Sequence, residues 1–389
     1  MNSVIHVSGA GPAGLAAAIT AARAGWQVVV YEQASGVGTR FHGDFQGLEN
    51  WTTERDVLEE LASLGVDVNF EATPFHETVV FDPAGRAHTY RTSVPAYYLI
   101  RRGPGQGTLD SGLRSQAEAA GVTIRLGEAC RHLPNGGIVA EGPHAADAIA
   151  VGYVFDTDMA DGAYAAVADR LAPKGYAYVL VRGGRGTVAS TIFDDFHNDK
   201  AHLAHTVDFF QRQIGLAMRN PRRFGGIGTF RVPEAARRGN LLFAGEAAGF
   251  QDALWGFGMR YAMVSGHLAA RALVEGRARD YDGMWNARLG GLLRTGMVNR
   301  YLYERLGDRG YAAFTRRGAS AGDIRAWLRQ RYAPSVIKRA LLPLARRSAR
   351  AHRREAALCV KEGCDCTWCR CQHRSATGGS LERPSASAA

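Results

Sequence analysis

Three groups of residues in this 389-residue chain have types and spacings suited to chemistry. The first is Gly9-Ala10-Gly11-Pro12-Ala13-Gly14, with Glu32 eighteen residues beyond Gly14. Gly9 permits a tight turn, Gly11 lets the backbone approach a pyrophosphate, and Gly14 lets a helix pack closely on a strand. A helix starting there offers unpaired N–H groups to phosphates, and Glu32 is spaced to accept hydrogen bonds from ribose hydroxyls. The second group is Gly245-Glu246-Ala247-Ala248-Gly249, a small-residue turn with one carboxylate, followed by Asp252-Ala253-Leu254-Trp255-Gly256-Phe257-Gly258-Met259. The third is Cys359, Cys364, Cys366, Cys369, Cys371 and His373, six soft or borderline ligands where a tetrahedral zinc or an iron–sulfur cluster takes four. Zinc, an iron–sulfur cluster or redox-active thiols, and an unliganded tail all stand as readings of that cluster.

The first group needs a strand, a turn, a helix and a second strand to position it, and the sequence supplies them. Val4 to Ser8 is a short apolar strand, Leu15 to Ala24 is alanine-rich helix, and Val28 to Tyr31 is a strand stopping on Glu32. A polar, glycine-rich loop leads to Arg40-Phe41-His42-Gly43-Asp44-Phe45-Gln46-Gly47, which mixes the groups expected of a ligand-facing loop. Helical spacing runs from Thr53 to Leu64, with Thr52 or Thr53 as the cap. Asp82-Pro83-Ala84-Gly85 predicts a hairpin between Glu77–Phe81 and 87–92. Leu109 to Ala120 is helix and Val122 to Leu126 strand, and from about His144 the chain becomes β-rich. An amphipathic helix spans Lys200 to Ile214, Leu241 to Ala244 is a buried strand, and Arg260 to Leu273 is a small-residue helix.

Composition narrows the class. Apolar content of 46% and charged content of 22% are those of an ordinary globular protein, and no apolar run reaches the roughly 18 residues of a membrane span. The first residues enter a core strand directly, so the expectation is a cytoplasmic protein. The net charge of +10 is concentrated in Arg329, Arg331, Lys338, Arg339, Arg346, Arg347, Arg350, Arg353 and Arg354, a stretch without an acidic residue. Val336, Ile337, Leu341, Leu342 and Leu344 lie among these charges, which fits an anionic membrane surface or a solvated helix packed through its leucines. Nothing beyond charge argues for nucleic acid. Residues 375–389 have a disordered-tail composition.

Together these pieces resemble the FAD-dependent oxidoreductases of the para-hydroxybenzoate hydroxylase fold, in particular their geranylgeranyl reductase-like branch, over roughly residues 1 to 280. The resemblance implies an α/β fold: a discontinuous Rossmann-like FAD-binding domain of the glutathione-reductase type (1–75, 101–143, 241–280) and an inserted mixed β-sheet substrate domain (76–100, 144–240). A helical, basic C-terminal region (281–355), the Cys-rich motif (356–373) and the tail (374–389) follow. It places the FAD pyrophosphate on Gly9, Gly11 and Gly14, the adenosine ribose on Glu32, and further cofactor contacts on Arg40 and on Arg102, with Arg101 a rival. Gly245 and Glu246 would hold the ribityl chain, and Gly256, Phe257, Gly258 and Met259 would face the isoalloxazine. Glu246 departs from the family's aspartate and Ala253 from its proline.

His42, Asp44 and Trp255 are the catalytic candidates, the first two for proton delivery, and Tyr176 and Tyr178 the substrate candidates. The resemblance implies FAD as cofactor, NAD(P)H as reductant and a hydrophobic, isoprenoid or lipid, substrate whose C=C bonds are reduced. A flavin monooxygenase acting on a small lipophilic or polyketide-like substrate is the alternative. A third reading is a flavin-binding module that docks a redox or other partner through its basic, Cys-rich C-terminus.

Overall fold

The computed structural model describes residues 4–130, 133, 135–356, 366 and 367. Its first sheet has six strands in the order Arg237–Arg238, Leu241–Phe243, Gly137–Val139, Val4–Ser8, Gln27–Glu32, Thr123–Leu126. All pairs are parallel except the terminal Arg237–Arg238 hairpin. Val7, Val30, Ile138 and Leu242 are fully buried, as expected where helices cover both faces of a parallel sheet. Helix Pro12–Arg23 begins on Pro12, whose fixed φ suits a first helical position. It lies against helix Met259–Val274 at close range because Gly266 abuts the main chain of Ala13, while Gly14 lets the same helix close on the Gly9 carbonyl and the first strand. Strands from three separate stretches of the chain, 4–32, 123–139 and 237–243, thus complete one sheet beside one helix pair.

A seven-stranded mixed sheet stands beside it, in the order Arg219–Gly228, Ala148–Asp156, Arg185–Ile192, Tyr176–Arg182, Gly162–Ala166, Glu77–Phe81, Ala87–Arg91. Only Gly162–Ala166 with Glu77–Phe81 is a parallel pair. Helix Asp199–Ile214 covers one face through Leu203, Phe209 and Phe210 and ends on Gly215 at φ +64°. A three-stranded sheet of Phe45–Glu49, Tyr97–Arg101 and Ala72–Phe75 completes the strands among the described residues. Part of the expected loop at 40–47 is therefore strand, paired with Tyr97–Arg101. The helix expected from Thr53 starts at Val57, because Asp56 accepts the Leu58 amide while Thr52 is held by Glu49.

Helices Gly291–Tyr303, Gly307–Ala319, Ile324–Tyr332 and Val336–Ala356 follow. The last packs on Met297 and Val298 through Leu341, Leu342 and Ala345, leaving Val336, Ile337 and Leu344 in solvent. Among the described residues, no helix is long and apolar enough to cross a membrane.

Candidate functional site

The glycine turn has the shape of an anion cradle. Gly9 sits at φ +98° against the backbone of Ala140 and Glu141, so a side chain there meets both strain and main-chain atoms. A Cβ at Gly11 would meet nothing within 4 Å, and Gly11 caps the helix with no side-chain hydrogen bond, leaving its N-terminal amides open to a ligand. Glu32 accepts the Ala10 and Ala34 amides at 2.9 Å, one on each oxygen, which fixes the carboxylate beside the turn with lone pairs to spare. Glu141, absent from the expected set, joins it: Ser8 Oγ donates to Glu141 at 2.6 Å, and burial together with nearby Glu32 pushes its carboxyl up.

The second turn meets the first. A Cβ on Gly245 would stand 2.8 Å from Ala13 Cβ and 3.6 Å from Ala262 Cβ, so both motifs converge at the paired ends of the two helices. Glu246 lies 3.5 Å from Arg40, and burial raises its carboxyl despite that cation. Arg40 also donates to the Ile227 carbonyl at 2.7 Å, tying the loop to the seven-stranded sheet. Arg102 is buried, and Asp110 takes two of its nitrogens at 2.9 Å each. The guanidinium lies 4.0 Å from the Phe41 ring centroid, and its Nη1 donates to Gln46 Oε1 at 3.5 Å. Arg101 instead pairs with Glu71 at 2.8 Å.

Loop 252–258 runs into helix Met259–Val274 and carries an aromatic wall. Trp255 meets Tyr176 edge-on at 5.6 Å and Tyr303 at 5.1 Å, and the Tyr176 hydroxyl donates to the Trp255 carbonyl at 2.6 Å. Phe257 meets Trp51 edge-on at 4.8 Å, and a Cβ on Gly47 would strike Phe257 at 2.6 Å. Tyr178 lies 6.1 Å from Tyr176, and Tyr97 stacks on Phe75 at 5.5 Å. Burial pushes the Tyr97 phenol up to about 12 and that of Tyr178 well above its usual value, Tyr178 with added repulsion from Tyr176 and Asp44. Trp51 and Tyr97 were not singled out in the sequence, although the continuous strand-like run Tyr97 to Ile100 carried the signal for the second.

His42 is exposed, and its backbone amide donates to Asp44 Oδ1 at 3.0 Å. Asp44 is buried and accepts Gln46 Nε2 at 2.8 Å on its other oxygen. The next residue, Phe45, donates its amide to Thr187 Oγ1 at 2.8 Å, so the sheet fixes this loop. The structure therefore brings Asp44, Tyr176, Tyr178 and Trp255 toward one region and leaves His42 at its rim.

The metal expectation is corrected. Among the described residues, no group of three or more His, Cys, Asp or Glu side chains could hold a metal ion. Of the six candidates only Cys366 is described; it is buried among Ile149, Val151, Ile192, Phe196 and Leu203, with His197 Nδ1 at 3.4 Å. It contributes to an apolar core there. Cys359, Cys364, Cys369, Cys371 and His373 lie outside the described residues.

A family model described as "NAD(P)-binding Rossmann-like domain" matches residues 7–46. No curated protein matches the chain. Solved structures resemble it along nearly its whole length. A geranylgeranyl bacteriochlorophyll reductase-like protein from Thermoplasma acidophilum superposes with a TM-score of 0.66 at 17% identity, over 90% of this chain and 100% of that one. The flavin-dependent brominase Bmp2 gives 0.62 at 15% identity over 91% and 100%, and p-nitrophenol 4-monooxygenase from Pseudomonas putida 0.56 at 16% over 88% and 97%. The chain has the fold of FAD-dependent oxidoreductases. In this flavoprotein fold the glycine cradle, the second turn and the aromatic wall lie along one path, from the Gly9 turn through Ala13 and Gly245 to Trp255.

Proposed function

We propose that the chain is a FAD-dependent monooxygenase acting on a small lipophilic, aromatic or polyketide-like substrate. The observation that carries this reading is the meeting of two cofactor-type turns with an aromatic wall whose polar groups are phenols, Tyr97, Tyr176 and Tyr178. Similar structures include flavin-dependent halogenases and a p-nitrophenol 4-monooxygenase. Reduction of C=C bonds in an isoprenoid or lipid is the second reading, supported by the reductase-like structure. A discontinuous FAD domain (1–75, 101–143, 241–280) with an inserted substrate domain (76–100, 144–240) fits both.

The residues present fit FAD. Gly9, Gly11, Gly14 and the open helix terminus would take the pyrophosphate, Glu32 the ribose, and Arg40, Arg102, Gly245 and Glu246 the middle of the molecule. Gly256, Phe257, Gly258 and Met259 would border the ring system. Bound FAD would supply electron transfer from NAD(P)H and oxygen activation. The chain's own groups would do the rest: Tyr176, Tyr178 and Trp255 would exclude water and orient a flat substrate, and Asp44, buried and held in place by two hydrogen bonds, is the candidate for proton transfer, with exposed His42 at the rim. The purified protein should be yellow and should consume oxygen and NADPH one for one with a substrate drawn from small phenols or polyketides. Fast anaerobic reoxidation of its reduced flavin by an alkene lipid would sink this in favour of the reductase, and failure to bind FAD would sink both.

The exposed face of helix Val336–Ala356 suits peripheral contact with an anionic bilayer. Val336 is 78% exposed, Ile337 72% and Leu344 50%, beside Arg339, Arg347 and Arg350. Sedimentation with phosphatidylserine vesicles should show binding that falls as salt rises. A double Ile337→Ser, Leu344→Ser variant should bind about tenfold more weakly, from roughly 1–2 kcal/mol of lost apolar insertion. Equal binding to neutral vesicles would overturn the assignment.

A further inference from the structure

Asp252 is a buried carboxyl, 2% exposed, that none of the expected roles uses. It closes the loop behind the aromatic wall: its amide donates to the Phe257 carbonyl at 2.9 Å, its carbonyl accepts from Gly256 at 3.0 Å, and Oδ2 accepts the Trp255 amide at 2.8 Å. Oδ1 is buried with no hydrogen-bond partner and points at helix Gly291–Tyr303, where a Cβ on Gly296 would stand 2.7 Å from it. The hydroxyls of Tyr261 and Tyr332 are also buried without partners, and each feels the Asp252 charge. Among the described residues no ion pair includes Asp252; the nearby cation Arg260 is committed to Glu49 and Glu60.

We propose that Asp252 is a positioning residue that sets the Trp255–Phe257 loop in two arrangements, one with a neutral carboxyl and one with a carboxylate that draws in the Tyr332 and Tyr261 hydroxyls. In the neutral form the proton sits on Oδ1 and Oδ2 keeps the Trp255 amide. On ionisation Oδ1 needs donors, and the two phenols are the ones at hand; rotating them toward it shifts the loop they pack beneath. Burial pushes the Asp252 carboxyl up to about 6, the backbone amides of Trp255 and Leu254 and the nearness of the Tyr332 hydroxyl oppose the rise, and Glu49 adds to it. Tyr176, on the neighbouring sheet, also feels this charge. Lone buried polar atoms are uncommon in folded proteins, and three in one electrostatic cluster call for such an account.

The inference rests on the flavin reading only for what the loop faces, so its test uses no cofactor. Tryptophan fluorescence of the full chain, followed from about pH 4.5 to about pH 8, should show a one-proton transition with its midpoint near 6. The transition should vanish in Asp252→Asn, shrink in Trp255→Phe, and move upward in Tyr332→Phe, which loses a donor to the anion. A transition unchanged in Asp252→Asn, or absent from the wild type, overturns the proposal. Should Asp252→Asn fail to fold, the Tyr332→Phe midpoint decides, and an unmoved midpoint overturns it. A colourless preparation that shows the transition overturns the flavin reading alone.

Discussion

Gly266→Ala is expected to cost about 3 kcal/mol or more and to abolish dinucleotide binding, because the added methyl falls on main chain that has nowhere to go. A Cβ at Gly266 would overlap the Ala13 carbonyl oxygen and stand 2.9 Å from the Ala13 carbonyl carbon. Ala13 lies in the first turn of helix Pro12–Arg23, the turn proposed to take the phosphates on its open amides. The clash cannot be relieved by a rotamer; the helix pair must separate, and the glycine turn moves with it. A loss of that size is a large part of the roughly 5–15 kcal/mol that stabilises a typical domain. Gly283→Ala is the matched control: Gly283 lies in helix Tyr281–Trp285 with nothing within 4 Å of a Cβ. There the substitution should be neutral or stabilise by up to about 1 kcal/mol. Denaturant unfolding and quenching of FAD fluorescence read the two effects, and a Gly266→Ala protein with wild-type stability would mean that the helices do not pack this closely.

What the sequence made legible follows from locality. The Gly9 to Glu32 unit could be read because all its parts lie within one βαβ segment, and the Gly245 to Met259 turn because its small residues are consecutive. The hairpin around Asp82 to Gly85 carried its own turn chemistry. Strand Arg219–Gly228 did not: Arg219-Asn220-Pro221-Arg222-Arg223-Phe224-Gly225-Gly226 has poor strand composition, and it is a strand because it pairs as an edge with Ala148–Asp156. The role of Glu49 was equally hidden, since its partner Arg260 is 211 residues away. Asp252 looked like an ordinary loop residue until the packing of three helices put it out of reach of water. The crowding of cysteines suggested a ligand set, but spacing alone does not show which side chains turn toward one point, and Cys366 turns into an apolar cluster.

The buried charges around Arg260 support the second large effect. Arg260, Glu49 and Glu60 have side chains 2–3% exposed, with Arg260 Nη1 3.2 Å from Glu49 Oε1 and Nη2 3.1 Å from Glu60 Oε1. Arg288 reaches Glu60 from the surface, and Glu49 also accepts the Trp51 and Thr52 amides. The cluster therefore pins the strand end that carries Trp51 to the helix start beside Phe257. Arg260→Met keeps the bulk and removes the cation, stranding Glu49 out of water and leaving Glu60 only the half-exposed Arg288, so a loss of about 3–5 kcal/mol is expected at neutral pH. The pH dependence identifies the cause. Burial pushes the Glu60 carboxyl up, but the hydrogen bonds and charges of Arg260 and Arg288 outweigh it and hold it below its usual value of 4.5. In the wild type this stabilisation is present above 4.5 and is lost as pH falls through the lowered folded pKa. Without Arg260 only Arg288 opposes burial, so the Glu60 carboxyl rises from its wild-type position and its protonation narrows the gap to the wild type. The deficit relative to wild type should thus be greatest near pH 7 to 8 and shrink as pH falls toward about 4.5, and adding Glu60→Gln should restore part of it at neutral pH. Unfolding curves across that range give the answer, and a deficit that did not change with pH would mean that lost packing, not stranded charge, accounts for the instability.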